Sequence, residues 1–101
     1  MEKMMVYQSE TGNEIEMKII GRLIYVGNSF GLQLTNEKTY ACVGIEDNWF
    51  RIVDDEGEDY LYPIDNPKPL TSSGYTKDEL KGGKWEIIDD PTGALKKALD
   101  F

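Results

Sequence analysis

Apolar and polar positions alternate along much of the chain, and that alternation predicts strands. Residues 14–19 are the strictest case: Ile15, Met17 and Ile19 fall on one face and Glu14, Glu16 and Lys18 on the other. A period of two marks a half-buried strand. The pair Ile19-Ile20 breaks the alternation just before Gly21. A glycine inside a strand pattern marks a bend or bulge, so residues 14–26 are expected to form one long strand bent there. Residues 4–8 have strand composition, and Glu10-Thr11-Gly12-Asn13 supplies the turn between the two.

Residues 38–63 read as three short strands joined by two tight acidic turns. In the first strand, 39–46, Tyr40, Cys42 and Gly44 share one face, and Ala41, Val43 and Ile45 the other. A strand apolar on both faces has something packed on each. Strands at 49–54 and 59–63 follow, and connections this short predict a consecutive antiparallel meander. Gly57 suits a left-handed turn position. Alternation places Phe50, Ile52 and Leu61 inward with Val43 and Ile45, and leaves Trp49, Tyr60 and Tyr62 to share a second face.

Residues 30–34 form a short apolar segment, and Pro67 and Pro69 keep their stretch extended or irregular. Thr76-x-x-Glu79 matches a capping box, with Gly82-Gly83 as its stop. A last strand is expected at 85–88. Asp90 then reads as an N-cap with Pro91 at the first helical position, ahead of an apolar face of Leu95, Ala98 and Leu99. The predicted architecture is mainly β: a small curled antiparallel barrel closed by a short C-terminal helix, with residues 1–101 as one domain.

Charge narrows the function classes. The chain has 11 basic and 19 acidic residues, for a net charge of −8. Residues 51–66 alone carry 1 basic and 6 acidic side chains, net −5, whereas 67–101 are balanced at 6 and 6. Such a surface repels phosphate backbones, so no direct nucleic-acid binding is expected. No run of 18 apolar residues and no basic-then-apolar leader occurs, so neither membrane association nor secretion is expected. With Cys42 as its lone cysteine, the chain forms no internal disulfide, which fits a cytoplasmic location. Histidine is absent, which removes the commonest general base and metal ligand together.

The candidate binding residues are Asp54, Asp55, Glu56, Glu58 and Asp59 of the acidic turn, with Trp49, Tyr60 and Tyr62 beside it. As D-D-E-G-E-D, the turn does not match a calcium loop, and side chains alternating on a hairpin diverge rather than converge. No metal and no cofactor is expected. Glycosidase chemistry on paired carboxylates needs a sugar-sized cleft, which a tight hairpin does not offer. The turn is then either a hairpin tip kept soluble by its charge or a patch that meets a partner. Either way its carboxylates are expected to be exposed, and neutralising all of them to change stability little. The aromatic residues are either an exposed recognition strip or a second small core under the helix.

Leu34-Thr35, Lys38-x-Tyr40, Gly44-Ile45-Glu46 and the run Phe50-Arg51-Ile52-Val53-Asp54-Asp55-x-Gly57-Glu58-Asp59-Tyr60-Leu61-Tyr62-Pro63 resemble a pattern in small, mostly uncharacterised proteins of Gram-positive bacteria and their phages. The resemblance covers about a third of the chain, residues 32–63, and implies an SH3-like β-barrel. It implies no catalytic residues, and the acidic-aromatic signature of proline-peptide binders is not present in its proper order. The expected function is therefore a non-enzymatic protein-interaction module, an inhibitor or immunity-type protein among them, whose acidic and aromatic surface meets another protein of basic character. The alternatives are a small carboxylate-dependent enzyme, a metal-binding protein, or an acidic mimic of nucleic acid.

Overall fold

A computed structural model of the chain describes residues 2–31, 33–68, 77 and 81–100. Seven strands and one helix follow in order: β1 (Lys3–Gln8), β2 (Asn13–Lys18), β3 (Gly21–Gly27), β4 (Thr39–Glu46), β5 (Trp49–Val53), β6 (Asp59–Pro63), β7 (Gly83–Asp89) and α1 (Ala94–Leu99). They form two antiparallel sheets, a β1–β2 hairpin and a five-stranded sheet ordered β6-β5-β4-β3-β7. The meander β3 to β6 is the arrangement that short turns dictate. No helix among the described residues is long and apolar enough to cross a membrane. The capping-box expectation at Thr76 and Glu79 lies outside the described residues.

The predicted strand 14–26 is two strands. Ile19 donates its N–H to the Glu2 carbonyl at 2.8 Å, and Ile20 donates to the Cys42 carbonyl at 2.9 Å. This pair hands the chain from the hairpin to the larger sheet. Gly21 is the hinge for a packing reason: a Cβ there would stand 2.4 Å from Leu95 Cδ1 and 2.6 Å from the Asp89 carbonyl. Removing the side chain lets α1 seat its fully buried Leu95 against β3. The sheet irregularity lies one residue on, between Arg22 and Leu23, where the register with β7 shifts.

Leu23, Tyr25, Phe30, Leu34, Tyr40, Cys42, Phe50, Ile52, Tyr62, Ile64, Trp85 and Leu95 form the core. Trp85 is its hub, with ring centroids 5.7 Å from Tyr25, 6.3 Å from Phe50 and 6.5 Å from Tyr62, all edge-on. Such geometry sets the positive ring edge against the negative face. The polar ends of these aromatics are satisfied: Trp85 Nε1 donates to the Pro63 carbonyl at 3.1 Å and the Tyr25 hydroxyl to the Asn28 carbonyl at 2.8 Å.

Two expected core assignments are corrected by register. β4 pairs Cys42 with Ile52 but Gly44 with Arg51, so a bulge absorbs Val43 and resets the alternation. Tyr40 and Cys42 are therefore buried and Val43 is only half-buried, whereas Ile45, opposite Phe50, keeps its expected inner face and packs half-buried against the core. Between β5 and β6 the partners are Phe50↔Tyr62 and Arg51↔Leu61. Cross-strand partners share a face, so Tyr62 joins Phe50 in the core and Leu61 lies on the other side, half-buried. A one-residue difference in register exchanges every side chain on a strand between faces.

The helix starts later than Asp90 and Pro91 predicted. Gly93, at φ 76°, occupies the cap position, and Pro91 sits in the preceding turn. Asp90 still serves the helix from that turn: its two carboxylate oxygens accept the N–H groups of Leu95 at 3.1 Å and Lys96 at 3.0 Å.

Candidate functional site

The acidic turn closes β5 onto β6 by a bond from Asp54 N–H to the Glu58 carbonyl, 3.1 Å, with Gly57 at φ 79° returning its N–H to the Asp54 carbonyl at 2.9 Å. Asp54 itself is buried, at 6% exposure. Its Oδ1 accepts the Glu56 N–H at 3.0 Å, and its Oδ2 accepts the Tyr62 hydroxyl at 2.7 Å. Burial pushes its carboxyl up to about 6; the Tyr62 and Glu56 bonds pull the other way and lose.

The neighbouring acids are also committed. Asp55 accepts from Lys38 Nζ at 2.5 Å, from the Tyr40 hydroxyl at 2.8 Å and from Thr35 Oγ1 at 2.8 Å. Burial alone would raise its carboxyl, but the bonds from Lys38, Thr35 and Tyr40 together hold it below the usual carboxylate range. Glu58 accepts the Ser9 N–H at 2.8 Å and the Tyr60 hydroxyl at 3.1 Å, and the Ser9 side chain first, then its N–H, lower the Glu58 carboxyl. Asp59 binds Gln8 Nε2 at 2.7 Å and Arg51 at 3.0 Å. Tyr7 N–H adds a 3.3 Å bond to the Gly57 carbonyl. Three consecutive residues of the hairpin end, Tyr7, Gln8 and Ser9, are thus held by Gly57, Asp59 and Glu58.

This overturns the expectation of exposed, mutually repelling carboxylates. Of the five acids, only Glu56 is exposed; the turn is the joint that fastens the β1–β2 hairpin to the larger sheet. Among the described residues, no group of three or more His, Cys, Asp or Glu is placed to hold a metal ion. The Cys42 thiol donates to the Gly44 carbonyl at 3.2 Å, and burial pushes it up to about 11, away from thiolate chemistry.

The expected aromatic strip is also divided. Tyr62 is fully buried, Tyr60 is half-buried on the same inner face beside Ile52, and Trp49 stands alone on the outer face at 40% exposure. The outer face of β4–β6 has two ends. At one, Val53 and Asp59 are covered where the hairpin docks. At the other, Trp49 lies between its cross-strand partners Glu46 and Pro63. There Asn48, Trp49, Pro63, Ile64 and Asp65 line a groove of about 470 Å³. The Ile64 N–H donates to the Asn48 carbonyl at 3.0 Å and fixes the groove floor. Exposed Asp65 is its acidic wall, and Glu46, the cross-strand partner of Trp49, is paired with Arg51 at 2.7 Å.

Asn48, Ile64 and Asp65 were not singled out from sequence. The signal that would have found them is the register: a turn closed by Asp54 and Glu58 sets Trp49 opposite Pro63, next to whatever follows that proline. No protein-family model, no curated protein and no solved structure matches the chain.

Proposed function

We propose that the protein is a non-enzymatic interaction module whose Trp49 groove receives an extended basic segment of another protein. The observation that carries this reading is the contrast between the two candidate surfaces. Asp54, Asp55, Glu58 and Asp59 of the acidic turn are spent on internal hydrogen bonds, whereas the Trp49 indole is open beside Pro63 with Asp65 in the same groove. An exposed tryptophan in a groove is a typical binding anchor. A Lys or Arg over its face gains a cation–π contact, and Asp65 supplies the opposite charge. The chain's net charge of −8 steers a basic partner toward it.

The SH3-like barrel implied by the sequence resemblance belongs to this proposal. Its support is the antiparallel meander with its bulge at Val43 and the bond from Tyr7 to Gly57 that brings β1 to the β5–β6 turn.

The test is selection from a displayed random-peptide library on the wild-type protein, with counter-selection on Trp49→Ala. Enrichment of peptides that pair Lys or Arg with apolar residues and fail to bind Trp49→Ala supports the reading. Peptides that bind both forms equally overturn it.

A further inference from the structure

We infer that the free edge of β2 is a self-association surface, on which a second copy of this chain adds its own β2 antiparallel to form a continuous four-stranded sheet. Among the described residues β2 pairs with β1 alone, and all of it except Met17 is exposed. Which backbone groups face outward follows from two hydrogen bonds. Ile19 N–H goes to the Glu2 carbonyl, so the even-numbered residues of β1 are those bonded across to β2. Tyr7 N–H points the other way, to Gly57. In an antiparallel ladder bonded and non-bonded pairs alternate. Glu14, Glu16 and Lys18, the partners of Tyr7, Met5 and Lys3, therefore direct their N–H and C=O groups away from β1.

Those three residues restrict how two copies can pair. Bonding must join outward-facing residues to outward-facing residues, and three registers do so at two or more positions; the other two set only Glu14 against Glu14 or Lys18 against Lys18. With Glu14 opposite Glu16, like charges meet twice. With Glu16 opposite Lys18, Glu14 falls opposite Ile20, whose N–H is already used by Cys42, so the ladder stops short. The remaining register places Glu16 on the two-fold axis, Glu14 of each copy opposite Lys18 of the other, and Ile15 opposite Met17. The two Glu16 side chains meet at the centre, where each is already neutralised by Lys3 at 3.3 Å.

The other face of the hairpin gains as well. Val6 is fully buried, yet its cross-strand neighbour Ile15 is 43% exposed, so the apolar row from the core stops short at the sheet edge. In this register the row continues as Val6, Ile15, then Met17 and Met4 of the second copy, and its symmetry mate repeats it. The Ile15–Met17 pairs are non-bonded pairs, the type in which side chains stand closest. The surface is self-complementary in charge, backbone bonding and apolar pattern, which a two-fold interface requires. An edge of six residues is far below a standard interface, so the dimer is weak, with Kd about 10⁻⁵–10⁻³ M.

Sedimentation equilibrium of the whole chain between about 10 μM and 1 mM tests this. Wild type is expected to show a monomer–dimer equilibrium. Glu14→Lys and Lys18→Glu should each weaken it about tenfold, by turning two attractions into two repulsions. The double variant should regain it. Net charge alone predicts otherwise: Glu14→Lys moves the net charge from −8 to −6, which would favour association. Glu16→Pro removes only an outward N–H, which an edge strand tolerates, and should abolish the dimer with the circular dichroism spectrum unchanged. Should Glu16→Pro not fold, the charge-swap set decides. A wild type monomeric to about 1 mM, a dimer indifferent to Glu14→Lys, or a double variant that stays dissociated overturns the inference.

Discussion

Replacing Asp54 by Asn isolates what the buried carboxylate does to stability. Asparagine keeps the shape, the acceptor for the Glu56 N–H and a group that reaches the Tyr62 hydroxyl, but does not ionise. In the wild type, burial moves the carboxyl from an ordinary 3.8 to about 6. The folded state then holds the proton more tightly than the unfolded chain. The group's stabilising contribution is full below about pH 4 and is lost as pH rises through about 6. A shift of that size corresponds to about 3 kcal/mol. Asp55 and Glu58 act in the opposite direction, because their carboxyls are lowered. Their contributions are present at neutral pH and lost only on acidification through their lowered values, so they do not obscure the window. Urea unfolding at half-unit steps from pH 4 to 8 reads the difference. Asp54→Asn is expected to gain on wild type by roughly 2–3 kcal/mol across that range, with the change falling between about pH 4 and 6 and level above. Two parallel profiles would refute the argument that burial outweighs the Tyr62 and Glu56 bonds.

Three further outcomes are expected. Tyr62→Phe leaves a buried Asp54 oxygen without its donor and should cost about 1–3 kcal/mol, more above pH 6 than below, by the same urea series. Phe50→Ala should cost about 3–5 kcal/mol and Leu61→Ala only about 1–2, a contrast in thermal unfolding that reports the register directly. Neutralising Asp54, Asp55, Glu56, Glu58 and Asp59 together should release the β1–β2 hairpin. Hydrogen exchange would show this as lost protection at Tyr7 and Ser9, with the five-stranded sheet still protected.

Strand positions were legible because period-two alternation and turn residues are local signals. Six segments read from the sequence correspond to strands, with 14–26 divided at Ile19-Ile20. Which face turns inward was not legible wherever one residue of register decides it. Val43 sits in a bulge, and Leu61 pairs with Arg51 rather than with Phe50; both are consequences of a partner strand. The acidic turn shows the same limit more sharply. Read alone, D-D-E-G-E-D is a charged tip. Lys38, Thr35, Tyr40, Gln8 and Ser9 turn it into a joint, and they lie 15 to 51 positions from the acids they bind, so composition at the turn held no sign of them. Trp49 was legible as an outward aromatic, but its groove was not, because Ile64 and Asp65 reach it through the Trp49–Pro63 register and the Asn48–Ile64 bond.

Whether Trp49 or the acidic turn meets the partner is decided by a nitrogen–proton NMR titration of the wild-type protein with the strongest library-selected basic peptide. Shifts are expected in the Trp49 indole and the amides of Asn48, Ile64 and Asp65, with Asp54, Asp55 and Glu58 unmoved. Shifts centred on residues 54–59 with the Trp49 indole unchanged would contradict the role of Trp49.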